Sequence, residues 1–459
     1  MTLPQPYRPD PRILELGDSF YDPVAPAGFP DCTLRFWNAR AAAEVGLADV
    51  DRAAHFCRFE PLPDNLPKPL ALRYHGHQFR NYNPDLGDGR GFLFAQLRDG
   101  AGRLLDLGTK GSGQTPWSRF GDGRLTLKGG VREVLATELL EALGVPTSRS
   151  FALFETGEDL ERNDEPSPTR SAVLTRLSHG HIRIGTFQRL AFHEDLPGLE
   201  KLTAYSLAHL FDEPADAGPL RLLELVTERT ARLAASYMAA GFVHGVLNTD
   251  NINITGESFD YGPWRFAPAW DPAFTAAYFD HSGLYAFGRQ PEAIQWNLAQ
   301  FAGCLALLTD DHPPLGEALG RFPEHFHSAL ASALLRRLGV VSGEADADRT
   351  LARAIVAALS ERITSIDRFF FDWRGGRRHP SQAYRSPAFD TLSDLLTDRA
   401  GDPAHPYWTQ QQQPCSLSID EVEAIWAPIA ATDDWSAFEA KLAAIRALGE
   451  AMASPEGQG

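Results

Sequence analysis

Hydrophobic positions in the first third of the chain follow the short period of strands. Between about residues 86 and 155, apolar runs are separated by glycine-rich turns, and RDGAGR joins the runs FLFAQL and LLDLGTK into a predicted hairpin. The next segment, LKGGVREVLATELLEALG, has helical spacing and is predicted to end at Gly144, before the strand VPTSRSFALFE. Its apolar positions are Val131, Leu135, Leu139, Leu140 and Leu143.

Helical spacing dominates the second half of the chain. The segment RLLELVTERTARLAASYMAAGF places its apolar residues on or near one face and leads directly into HGVLNTDN. Further helices are predicted at about 291–309, 314–338, 349–372 and 435–452. A strand-rich region followed by a helix-rich region predicts the α+β class.

These patterns divide the chain into four segments. Residues 1–60, with a short helix over 38–45, are predicted to be an N-terminal extension that packs on the β-rich segment after it. A β-rich lobe is predicted over 61–190, and a helical lobe is predicted over 191–375. A helical tail is predicted over 376–459.

Composition narrows the class of protein. The 459 residues, 43% hydrophobic and 22% charged, can bury the core of two lobes. A net charge of −17 repels phosphate backbones, so we expect no nucleic-acid partner. The sequence has no run of about 18 apolar residues, so we expect no membrane span. MTLPQPYRPDPRILELGDSF lacks the features of a secretory signal, and we expect a cytoplasmic protein.

The cysteines give no sign of cross-linking. Cys32, Cys57, Cys304 and Cys415 are widely spaced and form no CxxC pair, so neither a disulfide framework nor a zinc site is predicted. Isolated reduced thiols are expected in a cytoplasmic protein.

The order of elements resembles the small lobe of a protein kinase. LGDGRG supplies a glycine-rich loop, Lys110 closes the second strand of the hairpin, and Glu133 lies in the first turns of the next helix. In kinases such a lysine and glutamate pair holds the lysine against nucleotide phosphates. We therefore predict a protein-kinase-like, two-lobed fold with a β-rich small lobe and an α-rich large lobe.

The segment HGVLNTDNINITGESFDYG resembles a catalytic loop followed by the kinase DFG, with one position changed. In kinases an aspartate in the loop accepts the substrate proton, and an asparagine five residues later binds metal together with the DFG aspartate. Here the first position is Val246, whereas Asn251 and Asp260 fill the other two. Their oxygen ligands suit Mg²⁺, so the sequence predicts a metal site without the usual base.

A neighbouring carboxylate offers a replacement for that base. Asp250 precedes Asn251 and could accept a hydroxyl proton from a different direction. The alternative is that Asp250 only caps the loop through backbone N–H groups. His244 is expected to be a structural residue of the loop.

Arginine and glycine residues provide candidate phosphate contacts. GDGR occurs at 87–90 and at 121–124, where glycine lets the backbone approach phosphate and arginine offers a bidentate fork. Two ordinary Asp-Gly turns are the alternative. Arg176 and Arg183, in LTRLSHGHIRIG, add two more cations that could stabilise a triphosphate and its leaving group.

Together these motifs closely resemble the selenoprotein O family, the YdiU-type protein adenylyltransferases with a pseudokinase fold. They lie in the same order between about residues 74 and 303, half of the chain. The motifs are YHGHQF, LGDGRG, KGSGQTPWSRFGDGR, VREVLATE, LTRLSHGHIRIGTF, HGVLNTDN, DYGP and WNLAQFA.

The resemblance implies a nucleotide bound in the opposite orientation to that in a kinase. The α-phosphate of ATP would then face the acceptor, and AMP would pass to a protein hydroxyl. Lys110, Arg176 and Arg183 would hold phosphates, with Glu133 positioning Lys110.

The resemblance also implies roles for the loops. The nucleotide site would be lined by Gly87, Gly89, Arg90, Asp122, Gly123 and Asp260. Asn251 and Asp260 match the ligands of Mg²⁺ or Mn²⁺, Asp250 matches the proton acceptor, and a valine at position 246 is expected.

The expected substrates are ATP and proteins with Ser, Thr or Tyr acceptors, including the chain itself. Three alternatives remain: a kinase that transfers the γ-phosphate, against which Val246 counts; a nucleotide sensor without turnover, which would not need a metal site; and UMP transfer with Mn²⁺, which uses the same residues. Family members typically end in a motif with selenocysteine or cysteine, whereas the last cysteine here is Cys415, so the resemblance does not extend to redox control by a terminal thiol.

Overall fold

The computed structural model describes residues 5–163, 165–401, 403 and 405–453. The strands are β1 (Tyr21–Pro23), β2 (Thr33–Trp37), β3 (Leu70–Leu72), β4 (Gly76–Gln78), β5 (Asn81–Asn83), β6 (Leu93–Arg98), β7 (Leu104–Lys110), β8 (Leu125–Thr126), β9 (Arg149–Leu160), β10 (Thr169–Ser178), β11 (Phe242–Val243) and β12 (Arg265–Phe266). The helices are α1 (Ala39–Glu44), α2 (Arg52–Phe56), α3 (Leu127–Ala142), α4 (Ile184–Phe192), α5 (Leu196–Leu210), α6 (Gly218–Ala240), α7 (Gln290–Leu305), α8 (Pro313–Gly320), α9 (Phe322–Leu338), α10 (Ala345–Ser360), α11 (Ile366–Asp372), α12 (Pro387–Leu396), α13 (Tyr407–Gln410), α14 (Ile419–Thr432) and α15 (Ser436–Ala453).

One antiparallel sheet organises the first part of the chain, with the order β1-β3-β6-β7-β10-β9-β2 and with β8 also paired to β10. The predicted hairpin is β6 and β7, in which Leu97 lies opposite Leu105. Helix α3 covers one face of the sheet, whereas Phe56 packs with Phe94 and Phe151 on the other. Burial on both faces explains why β7 is buried along its whole length.

The first 60 residues complete this sheet as well as packing on it. Strand β1 pairs with β3 at one edge, and β2 pairs with β9 at the other. Helix α1 lies inside the predicted range 38–45, and the Asn38 side chain caps it by accepting a hydrogen bond from the Ala41 N–H at 3.1 Å.

The expectation of four isolated thiols was wrong. Cys32 and Cys57 form a disulfide, and Cys304 and Cys415 are free. The bond joins the residue before β2 to the residue after α2, which the sheet brings together across 25 positions of sequence. No spacing motif accompanies such a pair, because its proximity depends on packing of the extension against the sheet.

The second part is helical, as predicted, with boundaries that differ. The segment predicted at 314–338 is two helices, α8 and α9, and Pro323 lies in the first turn of α9. The segment predicted at 349–372 is also two helices, α10 and α11, because Ser365 caps a new start by accepting from the Arg368 N–H at 3.1 Å. The helices α7 and α15 match the other two predictions.

The architecture confirms the α+β class, since the antiparallel sheet precedes a mostly helical region. Within the described part of the chain, none of the helices is both long and apolar enough to cross a membrane.

Candidate active site

One cavity of about 710 Å³ brings together almost all of the predicted site residues. Its lining includes Gly87, Gly89, Arg90, Lys110, Asp122, Gly123, Arg176, Arg183, Asp250, Asn251 and Asp260. Glu133 lies outside this lining and reaches the cavity through its contact with Lys110. Residues from the end of β7, the end of β10 and four loops therefore meet at one place.

The first glycine-rich loop packs against the segment that carries the second GDGR. A Cβ atom at Gly87 would lie 2.4 Å from Cγ of Trp117, and one at Gly89 would lie 2.8 Å from the Trp117 carbonyl oxygen. The Ser118 hydroxyl donates a hydrogen bond of 2.5 Å to the Gly89 carbonyl. Glycine is needed here for close approach between two loops.

Asp88, between these glycines, was not predicted as a site residue. Its carboxylate accepts from Arg183 at 3.2 Å and from the Leu72 N–H at 3.0 Å, and burial raises its pKa. The guanidinium carbon of Arg183 lies 4.3 Å from the ring centre of Tyr74 and 4.7 Å from that of Phe259. These partners are distant in sequence, so no local motif could identify them.

The second GDGR is tied to the strand β9 and the turn after it. The Asp122 carboxylate pairs with Arg162 at 2.8 Å, and Arg124 pairs with Glu158 at 2.8 Å. Arg162, which also lines the cavity, was not singled out from the sequence. The arginine of this loop is therefore bound to protein, whereas Arg90 of the first loop is exposed.

Lys110 links three elements at the buried side of the cavity. Its ammonium group pairs with Glu133 on α3 and lies 2.8 Å from the Asp260 carboxylate, which Arg176 approaches to 3.6 Å. Partial burial opposes ionisation of Asp260, yet the charges of Lys110 and Arg176 hold its pKa well below the usual range. Asp260 is therefore ionised at neutral pH.

Two arginines leave buried donors open. Arg176 and Arg183 are each only 4% exposed. The Nε and Nη1 atoms of Arg176 and the Nε atom of Arg183 have no hydrogen-bond partner within the described ranges. Open guanidinium donors are costly when buried, and they fit the oxygens of a phosphate chain.

The loop predicted to be catalytic presents Asp250 and Asn251 from a short 3-10 turn, Thr249–Asn251. Asp250 is buried, its Oδ1 has no partner among the described atoms, and its carbonyl accepts from Arg183 at 2.9 Å. Burial raises the pKa of Asp250 to about 6, and Arg183 opposes that rise. A carboxylate with this pKa can take up a proton near neutral pH.

The oxygen atoms near this loop fit a hard cation. The Asn251 amide donates through Nδ2 to the Val246 carbonyl at 3.0 Å, which leaves its Oδ1 free to accept. Asn251 and Asp260 line the same cavity, so an amide oxygen and a carboxylate could share Mg²⁺ with substrate phosphates. The described residues contain no group of three or more His, Cys, Asp or Glu side chains that could hold a metal by themselves.

Comparisons with known proteins identify the family. The model of the family described as protein adenylyltransferase SelO matches residues 6–386. Relatives named protein nucleotidyltransferase YdiU include one from Synechocystis sp., 41% identical over 94% of this chain and 96% of the relative. Others are from Trichodesmium erythraeum, 42% identical with the same coverage, and Gloeobacter violaceus, 43% identical over 94% and 93%. The chain belongs to the SelO family.

Membership confirms the resemblance drawn from the motifs and the prediction of a nucleotidyltransferase enzyme. The matched range contains every candidate site residue of this SelO chain, including Glu133 and the loop from 244 to 262. The relatives also align over most of the predicted tail, since they cover 94% of the chain.

One SelO motif without a predicted role, YHGHQF, supports the catalytic loop. It forms the hairpin of β4 and β5, and the His77 N–H donates to the Thr249 hydroxyl at 2.7 Å. The Phe79 N–H donates to Oδ1 of Asn248 at 3.0 Å, and the Thr249 hydroxyl donates to Gln188 on α4 at 2.6 Å. Three hydrogen bonds from two separate segments therefore fix the turn that carries Asp250.

His244 occupies the structural position predicted for it. It is 1% exposed, and its Nε2 lies 2.9 Å from the Phe259 carbonyl oxygen. Burial lowers its pKa, so the ring is neutral at pH 7. The contact ties the start of the catalytic loop to the turn that carries Asp260.

Proposed function

We propose that this SelO-family chain transfers AMP from ATP to Ser, Thr or Tyr hydroxyls of proteins, with Mg²⁺ or Mn²⁺ as the metal. The observation that carries the proposal is the set of open, buried guanidinium donors of Arg176 and Arg183, in one cavity with Lys110 and Asp250. Phosphates would satisfy these donors, while Asp250 can receive a proton in the same cavity.

The charge distribution favours an inverted nucleotide. A kinase buries the neutral adenine in an apolar cleft, whereas the most buried cavity residues here include Lys110, Arg176 and Arg183. A neutral base would leave the buried open donors of Arg176 and Arg183 unsatisfied, whereas phosphate oxygens would accept from them. Phosphates at the buried side and adenosine towards the opening satisfy those donors.

The proposed reaction is a substitution at the α-phosphorus. The acceptor hydroxyl oxygen forms a bond to the α-phosphorus, and the bond from that phosphorus to the oxygen bridging to the β-phosphate breaks. The hydroxyl proton passes to the Asp250 carboxylate, and pyrophosphate leaves. Lys110 and Arg176 neutralise the charge that develops on the leaving group.

Asn251 and Asp260 are the residues that would hold the metal. A divalent cation, when bound, neutralises phosphate charge and polarises the phosphorus centre. Asp260 suits this role because it stays ionised: the neighbouring ammonium group of Lys110 lowers its pKa.

A two-lobed, kinase-like arrangement is part of the proposal, with a small lobe over 61–190 and a large lobe over 191–375. The pair of Lys110 and Glu133 beneath a glycine-rich loop supports it. So does helix α6, which leads through β11 into the catalytic loop.

The segments 1–60 and 376–459 are proposed as additions to those lobes. The first completes the sheet with β1 and β2. The tail helix α15 packs on α3, where Arg446 pairs with Glu138 at 3.0 Å. It therefore braces the helix that positions Glu133.

The test is to incubate purified protein and lysate proteins with Mg²⁺ and ATP labelled on either the α- or the γ-phosphate. Label is expected on protein from the α position alone, and Lys110→Ala or Asp260→Ala is expected to abolish it. Lys128→Ala is the matched control, because Lys128 pairs with Glu423 and does not line the cavity.

Other outcomes separate the alternatives. Label from the γ position would establish a kinase with a relocated base, and label from neither would favour a nucleotide sensor. Stronger labelling from α-labelled UTP with Mn²⁺ than from ATP would replace AMP by UMP in the proposal.

A further inference from the structure

A second cavity, of about 480 Å³, lies apart from the nucleotide cavity and shares no lining residue with it. Its walls come from the turn between β6 and β7, His179 after β10, the end of α5, the middle of α6 and the turn 255–257. Its volume lies in the range of small-molecule sites, about 300 to 1,000 Å³.

Arg229 is the open cation of this cavity. The other three lining arginines have carboxylate partners: Arg98 with Asp10 at 2.6 Å, Arg103 with Asp99 at 2.8 Å and Arg232 with Glu228 at 2.7 Å. No carboxylate in the described ranges forms an ion pair with Arg229, whose guanidinium carbon lies 5.5 Å from the ring centre of Phe211. Arg229 is partly buried, and Glu228 and Glu257 attract it without forming an ion pair, so its guanidinium donors are open to a phosphate group.

A second open donor lies on the adjoining wall. The Thr255 hydroxyl is buried and has no partner among the described atoms. Gly256 has φ +75°, and a Cβ there would lie 2.8 Å from the Arg229 carbonyl oxygen, so the turn 255–257 is pressed against α6 at Arg229. The carboxylate of Glu257 also lines the cavity and accepts from the His179 N–H at 2.7 Å.

Two chain segments connect this cavity to the active site. The first runs from His179, in the second cavity, to Arg183 in the first, and the second contains the turn 255–257 and ends at Asp260. They are held together by hydrogen bonds from Ile254 N–H to the Ile182 carbonyl at 3.0 Å, from Ile184 N–H to the Ile252 carbonyl at 3.0 Å and from the Asn253 amide to the Gly180 carbonyl at 2.7 Å.

We propose that the second cavity is a separate ligand site for a small anion that carries phosphate groups. The guanidinium of Arg229 matches the geometry of phosphate oxygens, and the Thr255 hydroxyl supplies a further donor. The bound anion orders the turn 255–257. The last residue of this turn, Glu257, lies three positions before Asp260.

Equilibrium dialysis of the full chain with radiolabelled pyrophosphate tests the site by counting bound ligand per chain. Arg229→Gln is expected to remove one class of site, or to weaken it at least tenfold, because a charge-assisted contact is lost. Arg221→Gln, on the same helix but paired with Glu213 and outside the cavity, is the control and is expected to bind as the wild type does. Equal binding by the two variants would overturn the proposal.

Thr255→Val keeps the test independent of folding defects. Its hydroxyl has no hydrogen-bond partner among the residues that the structure describes, so replacing it by a methyl group is expected to leave the melting temperature unchanged or higher. Pyrophosphate binding at this site is expected to weaken about tenfold, as for a lost hydrogen bond to a charged ligand. Unchanged affinity would rule out the hydroxyl as a ligand contact.

Hydrogen exchange locates the bound ligand. Pyrophosphate is expected to slow exchange of the amides of 253–257 in wild type and in Arg221→Gln, and not in Arg229→Gln. Protection that persists in Arg229→Gln would overturn the assignment. These measurements need no turnover, so their failure is separate from any failure of the labelling experiment above.

Discussion

At the scale of single residues, two carboxylates in one cavity have opposite environments. Burial dominates at Asp250 and raises its pKa to about 6, whereas Lys110 and Arg176 outweigh burial at Asp260 and lower its pKa. Opposed shifts of this kind separate a proton acceptor from a residue that stays ionised. The sequence predicted Asp250 as a proton acceptor and Asp260 as a metal ligand, and it predicted neither pKa shift.

Asp250→Asn tests the proton acceptor. Because the amide cannot accept the hydroxyl proton, labelling from α-labelled ATP is expected to fall about 10²- to 10⁴-fold with little change in ATP affinity. Initial rates and ATP titrations measure the two effects, and Asp310→Asn, at an exposed loop position, is the control. A rate within threefold of wild type would remove Asp250 from this role.

Glu257→Gln tests a pH-dependent contribution to stability. Burial raises the pKa of Glu257 from 4.5 to about 6, because it disfavours the ionised carboxylate. The folded state therefore gains stability from the protonated side chain below pH 4.5 and loses that gain as the pH rises through 6. The neutral glutamine is therefore expected to be more stable than wild type at pH 8, on the order of 1 kcal/mol given partial exposure, with no gain at pH 4.5.

Urea unfolding of both proteins at several pH values measures this difference. His179, whose pKa burial lowers to about 4, titrates in both proteins, so the comparison cancels its direct effect. A gain at pH 4.5 as large as that at pH 8 would contradict the linkage.

At the scale of elements, the sequence predicted strongly periodic segments and missed those that depend on context. Helix α3 begins at Leu127 as predicted, whereas α4, which follows a segment with His179, Gly180 and His181, and α5 were not predicted. The breaks before α9 and α11 depend on a proline and a serine cap that lie within apolar periodicity. Periodicity shows which face is buried and gives weak information on where a helix stops.

Thr249→Val tests whether the hairpin of β4 and β5 holds the catalytic loop. The change removes the acceptor of the His77 N–H and the donor to Gln188, which leaves buried polar groups unpaired. Stability is expected to fall by about 1–3 kcal/mol, and labelling with it. Thr227→Val is the matched control: that buried hydroxyl has no partner within the described residues, so its loss is expected to be neutral. Equal effects of the two changes would argue against the coupling.

At the scale of the whole molecule, the first 60 residues and the tail stabilise the part that carries the site. Strands β1 and β2 close both edges of the sheet, and the bond between Cys32 and Cys57 fixes the extension. Helix α15 packs on α3. Disulfides persist in oxidising compartments and are rare in the reducing cytosol, so this bond counts against the expected cytoplasmic location.

Reduction of the disulfide is expected to lower stability without changing the site. A cross-link that closes 25 residues contributes about 3 kcal/mol by constraining the unfolded chain. Thermal unfolding with and without dithiothreitol measures the loss. The double variant Cys32→Ala/Cys57→Ala is expected to have the melting temperature of the reduced wild type, with or without dithiothreitol. A response to dithiothreitol in that double variant would assign the effect to Cys304 or Cys415.

The sequence by itself predicted many of the residues that line the 710 Å³ cavity. Asp250, Asn251 and Asp260 lie within eleven positions of one another, so local spacing was enough to propose their roles. Lys110 and Glu133 could be paired because the order of glycine-rich loop, hairpin and helix resembles the small lobe of a kinase. The α+β class followed from the change of hydrophobic period along the chain.

Only the tertiary structure decided which distant residues meet. The pairing of Arg183 with Asp88, the disulfide, the support of Thr249 by the hairpin and the cavity around Arg229 all join segments far apart in sequence. The spacing of hydrophobic residues shows which face of a helix or strand is buried. It does not show which other element packs against that face. Such contacts arise from packing of the whole chain, which no local pattern records.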